Sequence, residues 1–467
     1  MHVNNLSKKY FFILFVNNNI GDIMKNIENK IVENFEKDSS FIKYEINTNN
    51  TKKANIYYLE GLVDLNKIGE IVIKKLENNE DIYLFPNVKE NKNIEEIINS
   101  IVNGNVVVFD FKNNKISSIE LRQLYLRSVN EPDNEKLVKG PREGLIENII
   151  VNVSLIRNKI KRKDFKVEYS NLKSECTYNI GILYLNNCVD KKALRLLKQR
   201  LKRIKPLKGI DSNFLKEQIK DYKYCPFNTI GDTSRPDICA FKLLEGKIVI
   251  LVDGTPNALY LPFLLSENFQ TVDDYYTNFY YSSISRMFRF ISFLVTIIFP
   301  GLYVSLLMYH QELIPVKLLL SISASRQGVP FPTLFECLIL LITFEILREA
   351  GTKTSGLLGT SLSIVGALVI GQATVEARMI STSVVIVIAV TSVTSLINPK
   401  TTGTEIVFRF IFLFLGALLG IYGLLCGVLF LIIYLIKLRS FGTNYLNNIA
   451  SLNIRDYKKT YMRLPDE

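Results

Sequence analysis

The sequence predicts a soluble N-terminal region of α/β class, made of two tandem modules, followed by an all-α multispanning membrane domain. Three observations carry that reading. Charge is unevenly spread: residues 1–285 hold 42 Lys/Arg and 36 Asp/Glu, whereas residues 286–467 hold 15 and 9. Five apolar segments crowd into the second part, several of them near the roughly 20 residues that a bilayer crossing requires. Within the first part, a pattern of strand, helix and closing hairpin occurs twice, 126 residues apart.

At the start, Lys8 and Lys9 precede a seven-residue apolar run that ends at Asn17-Asn18-Asn19. The run is too short, and its flank too polar, for a cleaved signal peptide. Residues 1–23 are expected to be a disordered leader or upstream extension, with Met24 opening an ordinary cytosolic start. The first module is placed at 24–130. Its strand ends in Leu62-Val63-Asp64, with Asp64 set to cap a helix over 68–76, and the run 104–110 turns back at Asn113-Asn114. The second module, 131–285, repeats this with Asp190 before a helix over 193–204 and a hairpin turning at Asp253-Gly254.

Composition removes several chemistries. The two histidines, His2 and His310, leave almost nothing for a His-ligated zinc or a His general base. The six cysteines form no C-x-x-C pair and read as reduced and structural. No phosphate-cradling glycine motif occurs. Asp253-Gly254-Thr255 lacks an upstream nucleophile aspartate, since Leu251 stands there. The basic runs 159–163 and 198–208 alternate with Leu and Ile at helical spacing, so they read as solvated helix faces rather than a nucleic-acid site. No catalytic residue, metal site, cofactor or nucleic-acid partner is expected.

The membrane domain is placed at 286–439, with a basic cytoplasmic tail at 440–467. Its apolar segments are 290–309, 334–347, 357–375, 384–397 and 406–436. With both ends in the cytoplasm the crossings must be even in number. Four result if 334–347 is re-entrant, and six if 406–436 breaks in two; composition prefers four. Residues 311–332 read as an interfacial or lining segment. Gly416, Gly420, Gly423 and Gly427 permit close helix packing. Glu336, Glu345, Arg348 and Glu349 form an intramembrane charge cluster, read either as self-neutralised structure or as an ion pathway. Glu345 and Arg348 are spaced to pair with each other. The small, partly polar segment 357–376 supplies the pore or gate candidates: Thr360, Ser363, Val365, Gly366, Ala367, Val369, Ile370, Gln372 and Glu376.

Particular motifs point further. They are Gly140-Pro141-Arg142-Glu143-Gly144, Arg235-Pro236-Asp237, Asp253-Gly254-Thr255-Pro256 and Asp274-Tyr275-Tyr276 in the first part. In the second they are Pro300-Gly301-Leu302, the run from His310 to Pro315, 328–332, 343–351 and 364–373. Over roughly 130–439 this ordered set resembles the A subunits of nutrient germinant receptors of endospore-forming bacteria, the GerA spore-germination family. The resemblance implies a multipass protein of the spore inner membrane, with its N-terminal region and tail facing the core. It implies self-association as a pentamer into a nutrient-gated ion channel that triggers germination. The implied partners are the membrane, a transporter-like B subunit and a lipoprotein C subunit. The same motifs are shared by an auxiliary stage V sporulation AF-like paralogue, which leaves a non-channel scaffold as the alternative.

Overall fold

A computed structural model describes residues 24–48, 51–78, 88–90, 93–111, 113–121, 135, 140–172, 178–204, 211–353, 366, 369 and 371–447. The leader and most of the tail lie outside the described residues. The chain forms two units, one of Met1–Lys223 with Ile230–Pro262, the other of Tyr224–Thr229 with Phe263–Glu467.

The first unit holds two five-stranded sheets. In the first are helix α1 (residues 24–35), β1 (Phe41–Thr48), β2 (Thr51–Leu59), helix α2 (residues 65–77), β3 (Val88–Glu90), α3 (Ile94–Val102), β4 (Val106–Asp110) and β5 (Lys115–Ile119). The second follows with α4 (Ile149–Lys159), β6 (Phe165–Leu172), β7 (Tyr178–Leu185), α5 (Lys191–Arg203), α6 (Ser212–Ile219), β8 (Gly231–Thr233), α7 (Pro236–Leu244), β9 (Ile248–Val252) and β10 (Ala258–Leu261). The strand orders are β1-β2-β4-β5-β3 and β6-β7-β9-β10-β8, the same arrangement twice. Every pairing is antiparallel, so helices connect strands without the parallel crossovers that α/β strictly implies.

Local chemistry explains the repeat. Asp64 accepts from the backbone N–H of Asn66 and Lys67 to start α2, and Asp190 accepts from Lys192 at 2.8 Å to start α5. Strand β4 is apolar on both sides because both its faces are covered. Val107 and Phe109 meet Ile31, Phe35, Ile97 and Ile101 of α1 and α3, while Val106 and Val108 meet Ile68, Val72 and Leu76 of α2. The two sheets are joined through residues 38–40. Ser39 N–H donates to the Val167 carbonyl at 2.7 Å, and the Arg157 guanidinium, on α4, reaches the Asp38 carboxylate at 2.8 Å in full burial.

The second unit is helical: α8 (Asp273–Tyr276), α9 (Phe279–Tyr309), α10 (Val316–Ser325), α11 (Thr333–Lys353), α12 (residues 371–376), α13 (Thr382–Leu396) and α14 (Thr402–Lys437). Two stretches are long and apolar enough to cross a membrane, Phe279–Tyr309 and Pro399–Lys437. The second is not a single rod. Gly420 has φ 62° and ψ −147°, a conformation open essentially to glycine alone, and the chain reverses there. Phe408 and Tyr434 both pack on the ring of Phe227, at 5.4 and 6.2 Å between centroids. On a straight helix those 26 residues would span about 39 Å. The preference for four crossings treated 406–436 as one helix, and the break at Gly420 makes it an antiparallel pair. Its first limb packs against α9, backbone to backbone. A Cβ on Gly301 would fall 2.5 Å from the Phe412 carbonyl oxygen, and one on Gly416 would strike the Gly301 carbonyl in return.

Candidate functional site: a buried polar core in the helical unit

The helical unit is apolar in bulk, so the ionisable groups inside it need partners. On α11, the Glu345 carboxylate is shared by two guanidiniums, that of Arg348 one turn on and that of Arg409 from α14. Arg409 is fully buried. Four residues earlier on α14, buried Glu405 accepts from the Thr401 hydroxyl at 2.6 Å. Two carboxylates and two guanidiniums thus balance in charge. Their hydrogen bonding does not: Arg409 Nε and Nη1, Glu405 Oε2 and Asn398 Oδ1 are buried polar atoms without a protein partner. Most buried polar atoms in a packed interior find a partner, so this cluster is only partly satisfied by its own side chains.

The four residues of the predicted charge cluster do not come together. Glu345 and Arg348 pair as their spacing implied. Glu336, more than two turns away on the same helix, is fully buried elsewhere, accepting from the backbone N–H and hydroxyl of Ser381 at 2.8 and 2.7 Å and lying 3.5 Å from Arg326. Glu349 is exposed and pairs with Lys353 at 2.8 Å. Nine positions place Glu336 on the opposite side of α11 from Glu345, whereas Glu349 shares the Glu345 side but stands one turn on, where the helix is exposed.

A second charged knot lies at the head of α9. The Asp274 carboxylate, 2% exposed, accepts from Arg286 Nε at 3.0 Å and from Arg289 through both Nη1 and Nη2, at 2.8 and 2.9 Å. The Asn398 amide donates to the Arg289 carbonyl at 2.7 Å, which ties the start of α9 to the turn before α14. The segment Tyr224–Thr229 closes the base of the α14 hairpin. Pro226 O accepts from Thr404, Asn228 O from Tyr445 and Thr229 O from Ser440, while Phe227 fills the space between both limbs.

Of the pore candidates, Thr360, Ser363, Val365, Ala367 and Ile370 lie outside the described residues. Val369, Gln372 and Glu376 are exposed, and Gly366 sits where a Cβ would meet the Leu347 side chain at 2.9 Å. The motif residues of the first unit have structural surroundings. The buried Arg235 guanidinium grips Asp237 at 3.1 and 3.0 Å and reaches the Pro141 carbonyl at 2.5 Å, with Pro236 opening α7. Gly140 holds a positive φ of 136°. Arg142 follows Pro141 in the same strap, and Glu143 pairs with Lys159 at 2.7 Å. Asp253 accepts from Ile149 N–H, Gly254 donates to the Glu147 carbonyl, and Pro256 stands exposed in that turn. Together they strap residues 140–149 onto the second sheet.

Arg409, Arg326, Arg286 and Arg289 complete these knots and lie outside the sequence-predicted cluster. For Arg409 a signal existed: an arginine inside a long apolar run must find an acid. For the others the partner stands 10 to 15 residues away on a different helix, beyond the reach of one helical period.

Comparison with known proteins decides the family. A model described as Bacillus/Clostridium GerA spore germination protein matches residues 25–467. The chain belongs to the GerA family. This GerA chain is 35% identical over 425 residues to spore germination protein KA of Bacillus subtilis (strain 168), covering 88% of this chain and 78% of the relative. It is 34% identical over 420 residues to spore germination protein A1 of the same organism, covering 87% of each. Among solved structures it is similar to the N-terminal domain of the A subunit of the Bacillus megaterium spore germinant receptor GerK3. That likeness has 25% identity and a TM-score of 0.39, over 51% of this chain and 93% of the other.

Proposed function

We propose that this GerA chain is the A subunit of a spore nutrient germinant receptor. In this reading it spans the spore inner membrane, its N-terminal region and tail face the core, and it acts with a transporter-like B subunit and a lipoprotein C subunit. Copies associate as a pentamer around an ion pathway that opens when nutrient binds, and ion release starts germination. The observation that carries the reading is the family match along nearly the whole chain.

The helical unit supports it with a route for the chain. Helix α9 runs from the Asp274 knot, α11 and α13 both run back towards it, and the α14 hairpin leaves and returns to that side. Between Lys353 and Ser381 the chain must pass to the opposite end, since Ser381 bonds Glu336 at the start of α11. Counting that passage, the reading is six crossings, with the pore segment third in chain order, after α9 and α11. Glu345, Glu405, Arg348 and Arg409 then form a charge-balanced knot inside the bilayer, and the segment 357–376 lines the pathway. We retain 24–130, 131–285 and 286–439 as its functional divisions.

The test follows cation release from spores carrying Val369→Ala or Gly366→Ala, with and without nutrient, beside a complete deletion. Spontaneous release or premature germination supports the pathway. Normal dormancy with a normal nutrient response in both variants removes this pore assignment. Unchanged release in the deletion strain overturns the channel reading and leaves the scaffold.

A further inference from the structure

Apart from Lys198, the basic residues on the exposed face of α5 make no ion pair among the described residues. Its inner face, Ala193, Leu197 and Leu201, is buried in the second sheet's layer. Its outer face is a basic stripe: Lys191, Arg195, Lys198 and Lys202 follow one another at helical spacing, with Lys192 and Arg203 alongside. The helix contains no acidic residue. Lys198 pairs with Glu168 at 2.5 Å, and Arg200 is held by Asp221 and the Ile219 carbonyl of the neighbouring α6. The other five, Lys191, Lys192, Arg195, Lys202 and Arg203, are exposed and make no ion pair among the described residues. Like charges spaced three and four apart on a helix repel one another, so the stripe weakens the helix that carries it. Beside it, α6 exposes the ring of Phe214 to 51%.

We propose that this stripe is a docking surface for an anionic bilayer, with lysines and arginines on phosphate headgroups and Phe214 entering the interface. The chemistry is that of basic helices that lie on acidic membranes, where each cation near the surface adds to the attraction. Phosphates of a nucleic acid would match the charge equally well. What favours lipid is that the same chain carries Phe279–Tyr309 and Pro399–Lys437, so a bilayer is tethered to the stripe at high effective concentration. The inference rests on the membrane reading above.

The chain contains no tryptophan, so Gln199→Trp on this face supplies a single indole that can be excited at longer wavelength than the 23 tyrosines. The full-length variant would be placed in nanodiscs of phosphatidylcholine alone, or with brominated phosphatidylglycerol. The expected result is a blue shift and loss of emission with the anionic lipid only, reversed by high salt because surface charges are screened. Replacing Lys191, Lys192, Arg195, Lys202 and Arg203 by Gln should abolish the change, and Lys→Arg replacements at 191, 192 and 202 should keep it. Emission alike in both lipids, quenching insensitive to salt, or a response to added RNA instead of lipid would each overturn the proposal. A chain that enters no nanodisc and needs no detergent would overturn the membrane reading itself, and this inference with it.

Discussion

At the scale of single residues, buried charges such as those of Arg157, Arg235 and Arg286 are each met by a carboxylate. Arg157 shows the energetic consequence. Its guanidinium holds Asp38 and the Ser40 hydroxyl, both at 2.8 Å, and lies over the Phe165 ring at 4.7 Å to its centroid. Desolvating both charges is costly, so the pair itself adds little net stability, but removing one partner strands the other. Arg157→Met should therefore destabilise the chain by about 3–5 kcal/mol, and adding Asp38→Asn should recover much of the loss. Denaturant unfolding of the two variants beside the parent checks this. Equal loss in the single and double variants would mean that packing, rather than stranded charge, sets the cost.

At the scale of elements, the decisive feature is the reversal at Gly420. A Cβ there would meet His310 Nε2 at 3.1 Å and Tyr309 Cβ at 3.3 Å, in a backbone conformation other residues resist. Gly420→Ala should cost about 1–3 kcal/mol in strain and reduce the folded yield from membranes. The hairpin itself is testable without that risk. Spin labels at the exposed positions Val407 and Ile433 should report a short separation, because the limbs run side by side. A value near the roughly 39 Å of a continuous 26-residue helix would refute the hairpin.

At the scale of the molecule, buried titratable groups set the alkaline limit of the sheet-bearing unit. Burial pushes the phenols of Tyr57, Tyr169 and Tyr184 up; Tyr57 also donates to Glu28 at 2.5 Å, and Tyr184 to Glu168 at 2.5 Å. An unfolded tyrosine ionises near pH 10, so the stability these three contribute is complete below about pH 10. It is lost as pH climbs through their raised values. Burial lowers Lys166, which acts in the opposite sense: the folded chain sheds that proton first, so stability rises through the window below the ordinary lysine value of about 10.4. The three phenols outweigh the one amine above pH 10. Tyrosinate absorbance should then lag in part and rise together with loss of helical circular dichroism. Free titration of all tyrosines around pH 10 in a folded chain would contradict it.

Much of this architecture was written in local signals. Asp64 and Asp190 mark helix starts because a carboxylate satisfies free N–H groups wherever it stands before a helix, and Glu345 and Arg348 are one turn apart on any helix. Alternation and apolar runs disclosed the two-part plan, since burial depends on period and length alone. The remainder depended on which distant segments meet. The strand order, the seat of Glu336 at Ser381, the Arg409 knot and the seat of Phe227 join residues tens to hundreds of positions apart, and the Asp274 knot joins two successive helices. Gly420 was visible as one glycine among four on a face; that the chain turns there rather than packs there followed from the Phe408 and Tyr434 contacts. Periodicity reports what a residue seeks, burial or water, and only the folded chain decides which partner supplies it.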